Sequence, residues 1–176
     1  MDTVYGWSLL CWLIIILPLQ TLLHEFGHAL AALGCRAEHV TIWMGGKANQ
    51  ENREKSAFVL QWKRIEIVWV RLFSLFYGLF TYRHNQEKPM TRGQWILINL
   101  SGPAVSLFLL ILTVTLIHSS HNSAPPFIRD VLQLTASSLV VQFAVTILPM
   151  RYPAWMGAYG GALSDMGRVI QRRRES

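Results

Sequence analysis

Two histidines stand four residues apart in LLHEFGHALAALG, the stretch from Leu22 to Gly34, with a glutamate directly after the first. On a helix, residues four apart project from one face, so His24 and His28 can present both imidazoles to a single ion. Imidazole nitrogens bind Zn²⁺ at about 2.0–2.1 Å, and a catalytic zinc takes three protein ligands and leaves one position open. Glu25, about 100 degrees around the axis from His24, suits a different task. It can act as general base to a water that the metal makes acidic and then pass the proton to a departing amine. With six histidines and seven glutamates in 176 residues, a chance HExxH is expected at about the 1% level, so the pentad is informative.

The residues around the pentad are apolar, and that sets the class. The chain is 52% hydrophobic and 15% charged, too apolar for an ordinary water-soluble domain. A helix needs about 20 mostly apolar residues to cross the hydrocarbon of a bilayer, and three stretches without Lys or Arg qualify: Trp7–Leu33, Trp95–Ile117 and Val131–Met150. Residues 1–176 therefore read as one membrane-embedded domain, mainly α. Ala29–Leu33 remain apolar beyond the pentad, so His24, Glu25 and His28 fall within the first span. There an ionisable group costs about 2.5–3.5 kcal/mol unless a metal, cavity or interface satisfies it. Asp2 in place of a basic start, and the length of the run, argue against a cleaved signal peptide.

Basic residues orient the spans. The net charge is +6, and most of the basic residues fall in two groups, residues 36–92 and the tail 168–176, while the segment before Arg36 and the connector His118–Phe127 carry no Lys or Arg. By the positive-inside rule the N-terminus and that connector face outward, and residues 36–92 and the tail face the cytoplasm. Basic residues divided in this way do not form a nucleic-acid footprint, and nothing resembles a base-reading pattern. Cys11 and Cys35, about 36 Å apart on a continuous helix, are beyond disulfide reach and are expected to be free.

Between the first two spans the periodicity changes from helical to two. Strands are predicted at Glu38–Met44, Ala57–Gln61 and Ile65–Leu72, with a loop over Lys47–Lys55 and a turn near Trp62–Arg64. Because lipid does not tolerate open sheet edges, this small β-sheet belongs at the inner interface, under protein cover or along a cavity. An edge strand, Glu38–Met44 or Ile65–Leu72, can pair with unwound substrate by β-addition, or the sheet simply covers the site. Arg64, Glu66 and Arg71 read as solvated or headgroup-facing charges. FSLFYGLFTY, residues 73–82, is expected to re-enter the membrane or lie on it with Tyr77 and Tyr82 at headgroup level. Past the third span, Pro149, Pro153, Gly157, Gly160 and Gly161 should break the helix.

A third metal ligand must come from elsewhere in the chain. Asp130, His118 and His121 fall on the outer side, away from the pentad. Asp165 returns to the depth of His28 after the third span, and His39 and His84 are competitors by residue type.

HEFGH at 24–28, the glycine-containing β segment, SGPAVSLFLL at 101–110, and ILPMRYP followed by LSDMGR together resemble the site-2 protease family of intramembrane zinc metallopeptidases. The resemblance implies one zinc per chain held by His24, His28 and Asp165, with Glu25 as catalytic base and membrane-spanning or membrane-proximal peptides as substrates. Ser106 and Thr146 stand where the family has asparagines, and the resemblance implies that they support substrate backbone or the oxyanion. Met166 separates Asp165 from Gly167, where the family has Asp-Gly. These departures leave a second expectation, a zinc-binding but inactive membrane regulator or binding module of the same fold.

The orientation is testable by cysteine labelling of intact cells in a background lacking Cys11 and Cys35. A cysteine at Asn122 should react with an impermeant reagent and one at Asn49 should not; the reverse pattern overturns the orientation.

Overall fold

Apolar runs, prolines and caps set the helix limits in the computed structural model, which describes residues 3–71, 77–84, 90–120 and 123–174. The first rod, Thr3–Gly34, consists of α1 (Thr3–Cys11), a π turn (Trp12–Ile16) and α2 (Leu17–Gly34). The wide turn lies just before Pro18, which lacks an N–H and would clash with the carbonyl one turn back in a regular helix. The second, α4 (Arg92–Ser119), begins at a capping box in which Thr91 and Gln94 exchange hydrogen bonds. The third, α5 (Pro126–Ile147), opens with a proline in its first turn and stops before Pro149, which holds Leu148 extended at ψ 129°. That span thus starts and ends earlier than Val131–Met150, because Leu148, Pro149 and Met150 lie beyond the helix.

These three helices are long and apolar enough to cross a membrane. Their outer faces leave Trp7, Ile14, Phe108 and Ile111 more than half exposed, a belt that water would penalise and lipid would not.

The β segment forms a mixed four-stranded sheet in the order β2-β3-β1-β4. β1 (His39–Met44) runs parallel to β3 (Ile65–Trp69) and antiparallel to β4 (Gly78–Arg83), and β2 (Phe58–Trp62) makes a hairpin with β3. The hairpin turns at Lys63, whose φ of 53° lies in the left-handed region where glycine is usual. Four expectations are corrected here. GLFTYR becomes a strand rather than a membrane-surface segment, because its period-two pattern completes the free side of β1; residues 72–76, which include most of FSLFY and the end of the Ile65–Leu72 strand, lie outside the described residues. β1 and β3 are interior, so the edges are β2 and β4. The Lys47–Lys55 loop contains a short helix, α3 (Gln50–Glu54), capped by the Asn49 side chain. Glu66 is buried, 2.6 Å from the Arg53 guanidinium and bonded by the Thr41 hydroxyl, so it is not a solvated charge.

The core lies where the second half of α2 meets the sheet and α4. Ala29 and Ala32, fully buried, let Val40, Ile42, Phe80 and Ile98 pack close. Both cysteines are free, Cys35 within this core. After α5 the chain turns through a 3₁₀ turn at Gly157–Tyr159 into α6 (Asp165–Arg174), so the expected tail is helical up to Arg174. Gly27 sets how closely α2 and α4 approach, since a Cβ there would lie 2.7 Å from the Ser101 carbonyl oxygen.

Gly27→Val should therefore force the two helices apart and destabilise the protein by about 1–3 kcal/mol, the usual cost of overpacking, read as a lower midpoint of thermal unfolding in detergent. An unchanged midpoint would refute the packing account.

Candidate metal centre

His24 and His28 lie on the face of α2 that meets α4, and the neighbouring helix fixes both rings. His28 Nδ1 is 2.6 Å from the Ile98 carbonyl oxygen, so this nitrogen must carry the proton and donate it, leaving Nε2 as a bare lone pair. His24 Nδ1 lies 2.8 Å from Ser106 Oγ, which is fully buried. His28 also stacks on Phe80 of β4, with ring centroids 4.9 Å apart. Gly102 makes the approach possible, because a Cβ there would stand 2.2 Å from His28 Nε2.

Asp165, the first residue of α6, completes the group. Its Oδ2 is 3.4 Å from each Nε2, and the two Nε2 atoms are 3.3 Å apart. Three acceptor atoms, all buried, thus converge on one point. Without a cation they repel, and around a tetrahedral ion bound at about 2.0–2.1 Å, ligand atoms stand about 3.3–3.4 Å apart. The donor set fits a small divalent ion both in chemistry and in spacing, and His24, His28 and Asp165 can hold a metal.

α6 is placed for this by a residue that the motif reading passed over. Ser164, fully buried, donates its hydroxyl hydrogen to the Leu148 carbonyl at 2.6 Å and accepts from the Gly167 and Met150 N–H groups. It caps α6 and ties it to the end of α5; a serine just ahead of an acidic first turn is the sequence signal for such a cap. Met166 does not prevent Asp165 from facing the histidines.

Glu25 lines the same cavity of about 530 Å³ as the three donors. Its carboxylate makes no hydrogen bond to a described residue. It lies against the start of β4, where a Cβ on Gly78 would fall 2.7 Å from Glu25 Cγ. Tyr159 holds that strand end in place: its hydroxyl accepts from Gly78 N–H at 2.7 Å and donates to Gly78 C=O at 2.5 Å. Desolvation, reinforced by the charge of Glu25, pushes the phenol well above its ordinary range, so the donor stays protonated.

Of the other expected residues, Thr146 lines the cavity but spends its hydroxyl proton on its own helix, at the Gln142 and Phe143 carbonyls. Ser106, expected to support substrate, instead lies behind His24 as a partner of its ring and does not line the cavity. Among the described residues His39, His84, His118 and Asp130 do not join the cluster: His39 is 3.9 Å from Glu66, and Asp130 accepts from Ser8 at the far end of the rod. His121 lies outside the described residues. Compared with protein-family models, with curated proteins and with solved structures, the chain matches none.

Replacing Asp165 with Ala should lower bound metal below the parent's stoichiometry in a chelator-competition titration. Ser106→Ala should keep full stoichiometry but weaken affinity about 10–100-fold, the usual effect of losing a partner behind a ligand. Metal retained in full by Asp165→Ala would return His39 and His84 to consideration.

Proposed function

We propose that this protein is an intramembrane zinc metalloendopeptidase, similar to site-2 proteases, that cleaves membrane-spanning or membrane-proximal peptides. The observation that carries the reading is the meeting of two imidazole nitrogens, one carboxylate oxygen and an unbonded glutamate on one apolar-walled cavity. The ion is taken as zinc because a set of two histidines and a carboxylate with an adjacent glutamate is the donor pattern of zinc hydrolases. Bound there, zinc supplies Lewis acidity toward water and the scissile carbonyl.

The remaining chemistry belongs to the chain. Glu25 accepts a proton as the water oxygen bonds to the carbonyl carbon, and it delivers that proton to the nitrogen as the C–N bond breaks; the second water proton moves from the new carboxyl group to the released amine, giving a carboxylate and an ammonium. Ser106 and the Ile98 carbonyl keep both imidazoles turned with Nε2 inward. A helical substrate hides its carbonyls in its own hydrogen bonds and must be extended locally. β4 is the sheet edge that reaches the cavity, through Gly78, Leu79 and Phe80. Tyr159 already bonds the Gly78 N–H and C=O on that edge, so an extended peptide added to its open side would pair from Phe80 onward, with its end beside Glu25 and the metal donors. In this reading the three long helices span the membrane with their exposed apolar belt against lipid, and residues 36–92 and the C-terminal helix face the cytoplasm, with the site at the inner end of the first span.

Purified protein in nanodiscs, assayed on a panel of single-span peptides, tests the reading. Glu25→Gln should retain zinc and lose at least about 10²–10⁴-fold in cleavage rate, the scale of a general base, whereas His24→Ala and His28→Ala should lose the zinc itself. Cleavage undiminished by Glu25→Gln would sink the mechanism; bound zinc with no cleavage by the parent would mark a binding module instead.

A further inference from the structure

One turn from the metal donors the cavity wall changes character. Gln20, four residues before His24 on α2, faces Ser138 and Gln142, which with Thr146 are spaced by four on one side of α5. Ser138 donates to Gln20 Oε1 at 2.9 Å, and Gln20 Nε2 reaches Gln142 Oε1 only at 3.5 Å, the outer limit of a hydrogen bond. Each amide carries two N–H donors, and among the described residues a single one of the four has an acceptor, through that long contact. Around them the wall is apolar, with Leu17, Leu134, Val141 and Val145. Unspent amide donors in such a setting are costly unless something fills the cavity and uses them.

Resting on the reading that a peptide is cleaved at the metal centre, we propose that the Gln20 and Gln142 amides, with Ser138 steadying Gln20 Oε1 while it also bonds the Thr135 carbonyl of its own helix, form a subsite for the main chain of a locally unwound peptide, about 6 Å along the helix from His24. An unwound segment inside an apolar environment exposes N–H and C=O groups together. A carboxamide answers both, offering donor and acceptor at one end of one side chain. Thr146 cannot donate in this way, because its proton is already given to its own helix. The subsite selects peptides whose helix is interrupted on the outer side of the cleaved bond, and it stabilises the unwound form that cleavage requires. Helix adhesion is the competing role for these residues. The Ser138 bond to Gln20 serves it, but the loosely held Gln142 amide does not need to point into the cavity for that purpose.

The test measures binding apart from cleavage. Zinc-loaded Glu25→Gln protein in nanodiscs is titrated with two fluorescent single-span peptides, one an uninterrupted Leu/Ala helix and one carrying an internal Asn-Gly break. The interrupted peptide should bind about tenfold more tightly, the scale of one or two hydrogen bonds. Gln142→Met and, separately, Gln20→Met in the same background should lose that preference at unchanged zinc content, with the uninterrupted peptide bound as before. Equal binding of the two peptides by the starting protein, or a preference that survives both substitutions while only the melting temperature falls, would overturn the subsite. If the parent enzyme fails to cut the interrupted peptide while the preference and its loss are both seen, the protease reading falls and the subsite stands.

Discussion

Where α4 crosses α2, Gly102 lies against the imidazole of His28 with no room for a methyl group, and the rest of the site depends on that approach. Because the helices come so close, the Ile98 carbonyl can take the proton of His28 Nδ1 and Ser106 can meet His24 Nδ1. Both Nε2 atoms are then held toward one point, where a cation removes their mutual repulsion. Gly27, on the other helix of the same crossing, removes the remaining obstacle at Ser101. Small residues thus act here through absence, and the two polar rings are fixed without any charged residue on α4 between Gly93 and Ser119.

The third donor arrives by a different route. α5 ends at Ile147, ahead of Pro149, the chain reverses, and Ser164 ties the start of α6 to the Leu148 carbonyl, so that the first helical residue, Asp165, meets the histidines from the open side. Tyr159, in the same reversing segment, grips Gly78 and holds β4 against Glu25. The segment after α5 therefore positions both the carboxylate ligand and the sheet edge. A change in its length would move Asp165 and the end of β4 together.

The cavity joins these parts. At one end lie the metal donors and Glu25, along one side the edge of β4, and one helical turn away the amides of Gln20 and Gln142. Its walls are mostly apolar, and its few polar groups gather near the two ends. α5 stands off from α2 over this stretch, which leaves the gap that such a segment would occupy.

Much of this was legible along the chain. The three apolar runs, the HEFGH pentad, the period-two segment and the break at Pro149 are local patterns, set by residue type and spacing, and they reappear as helices, a pair of converging imidazoles, a sheet and a reversal. The limits moved where a proline acted one residue earlier than hydropathy, as at Leu148. Strand order was beyond local reading: Glu38–Met44 looks as much like an edge as GLFTYR looks like a membrane-surface segment, until β1 acquires partners on both sides. The same holds for Asp165 against His39 and His84, for Ser106 as a ring partner, and for the meeting of Gln20 with Gln142. By itself the sequence determined which side chains were available and which local structure carried them, because spacing along one helix or strand fixes the face on which they lie. Only the tertiary structure decided which of them share a cavity, since distances between residues more than a hundred positions apart depend on how closely the helices pack and where the chain turns back.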